Sequence, residues 1–124
     1  MMSWGEPAER SLTVGIGGGL GNRLRPLLSG LTLAEASQRR FTMLWPRDKH
    51  CAASFRDLFV NEWPVQEVKL EVVYSLPACC SLPDILIAAE PHLSLRTARW
   101  LLSPTRYRHH AAYVPRCEAL LAGL

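Results

Sequence analysis

A glycine-rich loop between a strand-like and a helix-like segment is the feature that most constrains the fold. Residues 12–16, LTVGI, are short, apolar and partly β-branched, and three glycines follow them directly. From residue 22 onward, apolar side chains recur at helical spacing, at Leu24, Leu27, Leu28, Leu31 and Ala34. The pattern predicts a buried strand, a tight loop and a helix over about residues 22–38.

The ends of this helix carry residues that are typical of helix termini. Asn22 is the predicted N-cap, and Pro26 lies close enough to the start to be tolerated. Arg39 and Arg40 suit the negative end of the helix dipole.

The fold class follows from the next segment. Residues 41–45, FTMLW, predict a second short strand bounded by Pro46, and a strand–helix–strand unit of this length implies a parallel pair. We therefore expect a Rossmann-like α/β fold, with a mainly parallel sheet and helices on both faces. Further expectations are a Ser54-capped short helix at 54–59, strands at 68–74 and 84–89, and a helix at 114–121.

Composition favours one globular domain. The chain has 124 residues, of which 48% are hydrophobic and 20% charged, and its net charge is +3. We expect a single α/β domain over residues 1–124, with a flexible N-terminus at 1–10. Neither a membrane-spanning run nor a signal-peptide pattern is found, which indicates a cytoplasmic protein without a membrane partner.

The cysteines are expected to be free thiols. An adjacent pair is awkward to bridge internally, and the spacing matches no zinc-finger pattern, so no metal is expected. The four cysteines are Cys51, Cys79, Cys80 and Cys117.

The loop fits neither common phosphate-binding motif. A dinucleotide fingerprint needs glycine at i, i+2 and i+5, but the third position is Leu20 counted from Gly15 and Asn22 counted from Gly17. A Walker motif fails because no Gly-Lys-Ser/Thr follows. Unpaired backbone N–H groups beside Asn22 suit a hydroxyl-rich or anionic ligand. A plain β–α turn and a degenerate Rossmann loop remain as alternatives.

One stretch resembles the N-terminal signature of the fucosyltransferase superfamily that includes the nodulation and α-1,6-fucosyltransferases. The resemblance covers about residues 12–59. It rests on GGLGNR at 18–23 after a strand, LTLAE at 31–35, LWP at 44–46, and Cys51 before the F-x-DLF pattern at 55–59.

The resemblance implies the acceptor-side half of a two-domain glycosyltransferase B enzyme, which transfers a sugar from a GDP-sugar to a glycan or hydroxyl acceptor. It implies substrate binding by Gly18, Gly19, Gly21, Asn22 and Arg23, and it identifies no catalytic residue. No cofactor is expected, since the GDP-sugar is the donor substrate, and such families generally need no bound metal.

The family's donor-side motif, His-x-Arg-x-x-Asp, does not occur in this chain. The segment RYRHH at 106–110 has another order and lacks the aspartate. We therefore expect a domain truncated before the donor-binding half, and incomplete alone. It would work with a separate C-terminal half or as a homo-oligomer.

Two further expectations concern the polar residues after the second strand and the basic residues near the C-terminus. Asp48, His50 and Cys51 are expected to form a structural loop rather than a Cys–His nucleophile. The basic and aromatic residues at 96–110 are expected to be a solvated face or a surface meeting a second domain, with no nucleic-acid partner. The rival to a glycosyltransferase is a small Rossmann-like nucleotide-binding or interaction module without catalysis.

Overall fold

The computed structural model describes residues 9–78, 85, 86, 88–101 and 113–124. In chain order its elements are β1 (Ser11–Gly15), α1 (Leu20–Ala36), β2 (Arg40–Pro46), α2 (Phe55–Leu58), β3 (Val65–Val68), α3 (Leu70–Tyr74), β4 (His92–Arg96) and α4 (Tyr113–Ala122). The four strands form one parallel sheet in the order β3-β2-β1-β4. The predicted α/β, Rossmann-like fold class is confirmed.

The strand order reverses beside β1. The chain runs outward from β1 to β2 and β3, and then crosses back to place β4 on the other side of β1. Because the strands are parallel, their last residues all lie at one edge of the sheet, here called the carboxyl edge. In open α/β sheets, ligands bind at this edge.

The core lies between the sheet and α1, with α4 packed against α1. Leu12 pairs in register with Phe41, and Val14 pairs with Met43, so these four buried side chains share one face of the sheet. Gly30 of α1 approaches this face closely, since a Cβ on it would lie 2.5 Å from the Phe41 ring. Each large apolar side chain buried here contributes about 1.5–3 kcal/mol.

The opposite face is more polar. Thr13 and Thr42 are half-buried in the same register row, and Ser94 beside them is exposed. The short helix α3 covers the carboxyl end of this face, where Val73 and Leu76 flank the Cα of Gly15. Helices therefore lie on both faces, as the sequence predicts.

The prediction of Asn22 as the N-cap of α1 is wrong. The helix begins at Leu20, its N-cap is Gly19, and no side chain caps it. The Asn22 Oδ1 atom instead accepts a hydrogen bond from Arg25 (2.9 Å). The glycines allow the helix to start two residues earlier than the side-chain pattern indicates.

Arg39 does not lie in the last turn of α1 either. The helix ends at Ala36, and Gln38 adopts a positive φ of 55° that turns the chain toward β2. Arg39 is buried and donates to four backbone carbonyls, those of Ser11, Ala88, Glu90 and Pro91. It therefore ties the segment before β4 to the start of β1.

The remaining elements agree only in part with the predictions. The serine-capped helix α2 is confirmed, with a reciprocal capping box between Ser54 and Asp57, and α4 is confirmed. The strand expected at 68–74 is wrong, because β3 ends at Val68 and residues 70–74 are helical. The strand expected at 84–89 is not found in its described residues, and β4 was not predicted.

Several expectations fall on residues outside the described part of the chain. They concern the N-terminal residues 1–8, Cys79, Cys80 and the segment 106–110. Cys51 and Cys117 are free thiols, as expected. In the part of the chain that the structure describes, no helix has the length and apolar character needed to cross a bilayer.

Candidate functional site

Two loops meet at the carboxyl edge, one after β1 and one after β2. The second is a tight turn in which Asp48 and Cys51 exchange both backbone hydrogen bonds (3.1 and 3.3 Å). The Asp48 Oδ1 atom also accepts the N–H groups of His50 (2.9 Å) and Cys51 (3.0 Å). The Cys51 thiol points to the carbonyl of Ala53 (3.7 Å). This geometry is that of a structural loop, as expected, with Asp48 as its organising residue.

Asp48 also reaches across to the glycine loop. Its Oδ2 atom accepts the N–H of Gly18 (2.7 Å), and Gly18 has a φ of +97°, a conformation that favours glycine. A Cβ on Gly17 would lie 2.7 Å from the same Oδ2 atom. Two of the loop glycines are therefore required by an internal carboxylate and by the turn that receives it.

Arg23 holds the loop from the opposite side. Its Nε atom donates to the carbonyl of Gly18 (2.8 Å), and its Nη1 atom donates to the carbonyl of Pro46. The Nη2 atom lies 3.2 Å from Asp48 Oδ1 as an ion pair, and the guanidinium lies 4.9 Å from the Trp45 ring centroid. The side chain is 0% exposed. Arg23 is thus a buried cation, neutralised by Asp48.

The pKa of Asp48 is lowered. Desolvation is the largest single influence and acts to raise the pKa, but the N–H donors of Gly18, His50 and Cys51, together with the charge of Arg23, outweigh it. The carboxyl group therefore stays ionised at neutral pH. Because all these donors stabilise the anion, Asp48 is a weak base and a poor candidate for proton abstraction.

Of the residues expected to bind substrate, some are accessible to a ligand and one, Arg23, is buried. Gly18 and Gly19 are half-buried, and Gly21 and Asn22 are exposed in the first turn of α1. Arg23 follows directly in the chain but points into the protein, where it holds the loop instead of facing a ligand. The open part of the predicted site is therefore the glycine loop with Asn22.

A depression of about 530 Å³ opens beside the loop. Its walls come from the β1–α1 loop, the Asp48 turn and the short helix α3. The residues that line it are Ile16, Gly17, Gly18, Arg47, Asp48, Lys49, His50, Leu70 and Tyr74. This volume is within the range of small-molecule sites.

Tyr74 is the aromatic member of the depression and was not singled out from the sequence. The residue is 61% exposed, and the Arg96 guanidinium lies 4.8 Å from its ring centroid. Tyr74 was missed in the sequence because residues 68–74 alternate between apolar and polar side chains, as in a strand. The available signal was the spacing of Leu70, Val73 and Tyr74, which also fits one helical turn.

The N–H of Gly18, in the middle of the glycine loop, is not free to bind a phosphate. The Gly18 N–H already binds a carboxylate that carries its own negative charge. A diphosphate at this position would have to displace Asp48 and leave Arg23 buried without its partner, at a cost of several kcal/mol. The geometry therefore favours a ligand that uses the neighbouring depression rather than the Gly18 N–H.

Among the described residues, no group of His, Cys, Asp and Glu side chains is arranged to hold a metal ion. Comparison of the chain with protein-family models, with curated proteins and with solved structures gives no significant match.

Proposed function

We propose that the chain is the acceptor-side domain of a fucosyltransferase-like glycosyltransferase. It would bind the glycan or hydroxyl acceptor of a sugar transfer from a GDP-sugar. The observation that carries the proposal is the Asp48 carboxylate in the glycine loop beside an open depression. A domain that binds an acceptor needs a site for hydroxyl groups and sugar rings, and no phosphate cradle.

The depression has the two kinds of surface that a sugar ring requires. Tyr74 and Leu70 offer apolar surface for the C–H face of a pyranose, and Ile16 adds to it from the loop. Lys49 and His50 place polar groups at the rim for ring hydroxyls. Asn22 borders the loop, its Nδ2 atom 3.2 Å from the position of a Cβ on Gly18, and it offers both a donor and an acceptor.

The remaining parts of the proposal concern partners and compartment. The diphosphate of the donor would bind a second half, supplied by another chain or by a homo-oligomer, and the domain itself would hold no cofactor. We place the protein in the cytoplasm, where thiols such as Cys51 and Cys117 stay reduced. Nucleic acid is not a proposed partner.

The rival function is a small Rossmann-like nucleotide-binding or interaction module without catalysis. The reversal of strand order beside β1 favours it, because such points bind nucleotides in open α/β sheets. A nucleotide would then lie between the loops after β1 and β4. The Gly18 N–H counts against this rival, because the Asp48 carboxylate already occupies it.

Chemical-shift titration of the purified chain separates the two functions. We expect a short neutral oligosaccharide to shift the amides of the loop after β1 and of α3, and GDP-fucose or NAD to leave them unchanged. Tyr74→Ala and Asn22→Ala should each weaken saccharide binding about threefold to tenfold. The matched control is Arg40→Ala, an exposed change at the other end of β2. Tight NAD or GDP binding that ignores both variants would instead establish the rival.

A further inference from the structure

We infer that the acceptor carries a negative charge, a carboxylate or a sulfate ester, which binds Lys49 and His50 at the rim of the depression. This inference rests on the proposed function and narrows its substrate class. The two residues follow Asp48 in the turn after β2, line the depression and are exposed.

The first observation is that the neighbouring carboxylates are already paired. Asp48 is held by Arg23 and by three backbone N–H groups. Glu67 lies 2.6 Å from Arg47, and Asp57 lies 3.7 Å from the same guanidinium. The positive charge of Arg47 is therefore already neutralised by two carboxylates.

Lys49 differs from Arg47 in this respect. The structure shows no ion pair for the Lys49 ammonium among the described residues, whereas Asp48, Asp57 and Glu67 are each paired with an arginine. Its charge is therefore available to a ligand. The backbone N–H of His50 is used by Asp48, which fixes the turn and leaves the imidazole at the rim.

The second observation is the charge of the whole carboxyl edge. Besides the turn after β2, this edge carries Lys69 before α3, and Arg96 and Arg99 at the end of β4. The acid in the first turn of α3 is Glu71. Cations therefore outnumber unpaired acids at the carboxyl edge, and a surface with such a charge excess concentrates anionic ligands.

The position of the anion follows from what the loop excludes. Because the Asp48 carboxylate occupies the Gly18 N–H, that group is not available to an incoming anion, whereas the Lys49 ammonium at the rim is. Lys49 and Tyr74 both line this depression. A sugar ring on Tyr74 with an acidic substituent toward Lys49 would satisfy both surfaces.

The test uses three matched oligosaccharides titrated into the 124-residue chain at low salt. One is neutral, one carries a uronate in place of a hexose, and one carries a sulfate ester. We expect at least one acidic ligand to bind about fivefold tighter than the neutral one, which corresponds to the upper range for an exposed ion pair. The advantage should disappear in Lys49→Ala and in high salt.

The control separates a local contact from overall charge. Lys49→Glu and Arg40→Glu change the net charge equally, but Arg40 is exposed at the amino end of β2, away from the depression. We expect only Lys49→Glu to abolish the preference for the acidic ligand. An equal loss in both variants would overturn the inference.

The outcomes also separate the inference from the proposed function. Equal, Tyr74-dependent binding of all three ligands would overturn the inference and leave the proposed function in place. No saccharide binding at millimolar concentration would remove both. Between the two acidic ligands, the tighter one identifies the source of the charge.

Discussion

Asp48 and Arg23 hold the two sides of a single residue, Gly18. The carboxylate accepts its N–H at 2.7 Å, the guanidinium donates to its carbonyl at 2.8 Å, and the two charged groups lie 3.2 Å apart. The glycine loop is thus fixed by a buried ion pair that joins α1 to the turn after β2. This arrangement gives the loop its shape without any ligand.

Loss of the buried cation should strongly destabilise the protein. We expect Arg23→Met to lower the free energy of unfolding by about 3–5 kcal/mol, because Asp48 would be left without its partner. Urea unfolding followed by circular dichroism measures the change. Arg25→Ala, an exposed change two residues away, should stay within about 0.5 kcal/mol. Similar small effects for both variants would show that Arg23 does not hold the loop.

The ion pair also predicts a pH dependence. The folded-state pKa of Asp48 lies below its unfolded value of about 3.9. Its contribution is therefore complete above that unfolded pKa and is lost as the pH falls through the folded pKa. We expect Asp48→Asn to be less stable than the parent chain at pH 6 and the difference to shrink below about pH 4. Unfolding free energies measured from pH 2 to 7 test this, and a constant difference would contradict it.

The loop glycines should differ in their tolerance of a methyl group. Gly17→Ala would place a Cβ 2.7 Å from Asp48 Oδ2 and push the carboxylate away, so we expect a loss of about 1–3 kcal/mol. Gly19→Ala meets no atom within 4 Å and should lose only the preference of the N-cap position for glycine over alanine, about 0.5–1 kcal/mol. Thermal unfolding of both variants makes the comparison. Equal effects would show that Gly17 is not needed for the approach of Asp48.

Gly30 should be required by helix packing. A Cβ there would lie 2.5 Å from the buried Phe41 ring, so Gly30→Ala should cost about 1–3 kcal/mol despite the better helix propensity of alanine. If the clash is the cause, Gly30→Ala should cost much less in the Phe41→Leu background, which a double-mutant cycle measures. Additive effects would exclude the clash.

The first half of the fold follows from local sequence signals. The apolar run before the glycines, the helical spacing from Leu24 to Ala34, and the run before Pro46 each have one clear period, and tertiary structure agrees with it. The strand prediction for residues 68–74 was wrong because a segment of five to seven residues fits a strand and a helical turn about equally well. Strand β4 was not predicted because its alternating pattern contains only two apolar residues, Leu93 and Leu95.

The site was harder to predict because its central contact is long-range. Nothing near Asp48 in the chain indicates that it binds Gly18, since that contact depends on the parallel pairing of β1 and β2. One signal was present. Arg23 lies four residues before Leu27 and eight before Leu31, so it shares their buried stripe on α1, an unusual place for a charge that requires an internal partner.

The carboxylate of Asp48 closes the glycine loop from within the protein, at a position where a small anion from solution could otherwise bind. Replacing Asp48 by glycine would free the Gly18 N–H and leave the Arg23 guanidinium beside a carboxylate-sized space. Formate or acetate added from solution should then restore part of the lost stability. In that case a single substitution would separate a loop closed by its own carboxylate from a loop that binds a small anion from solution.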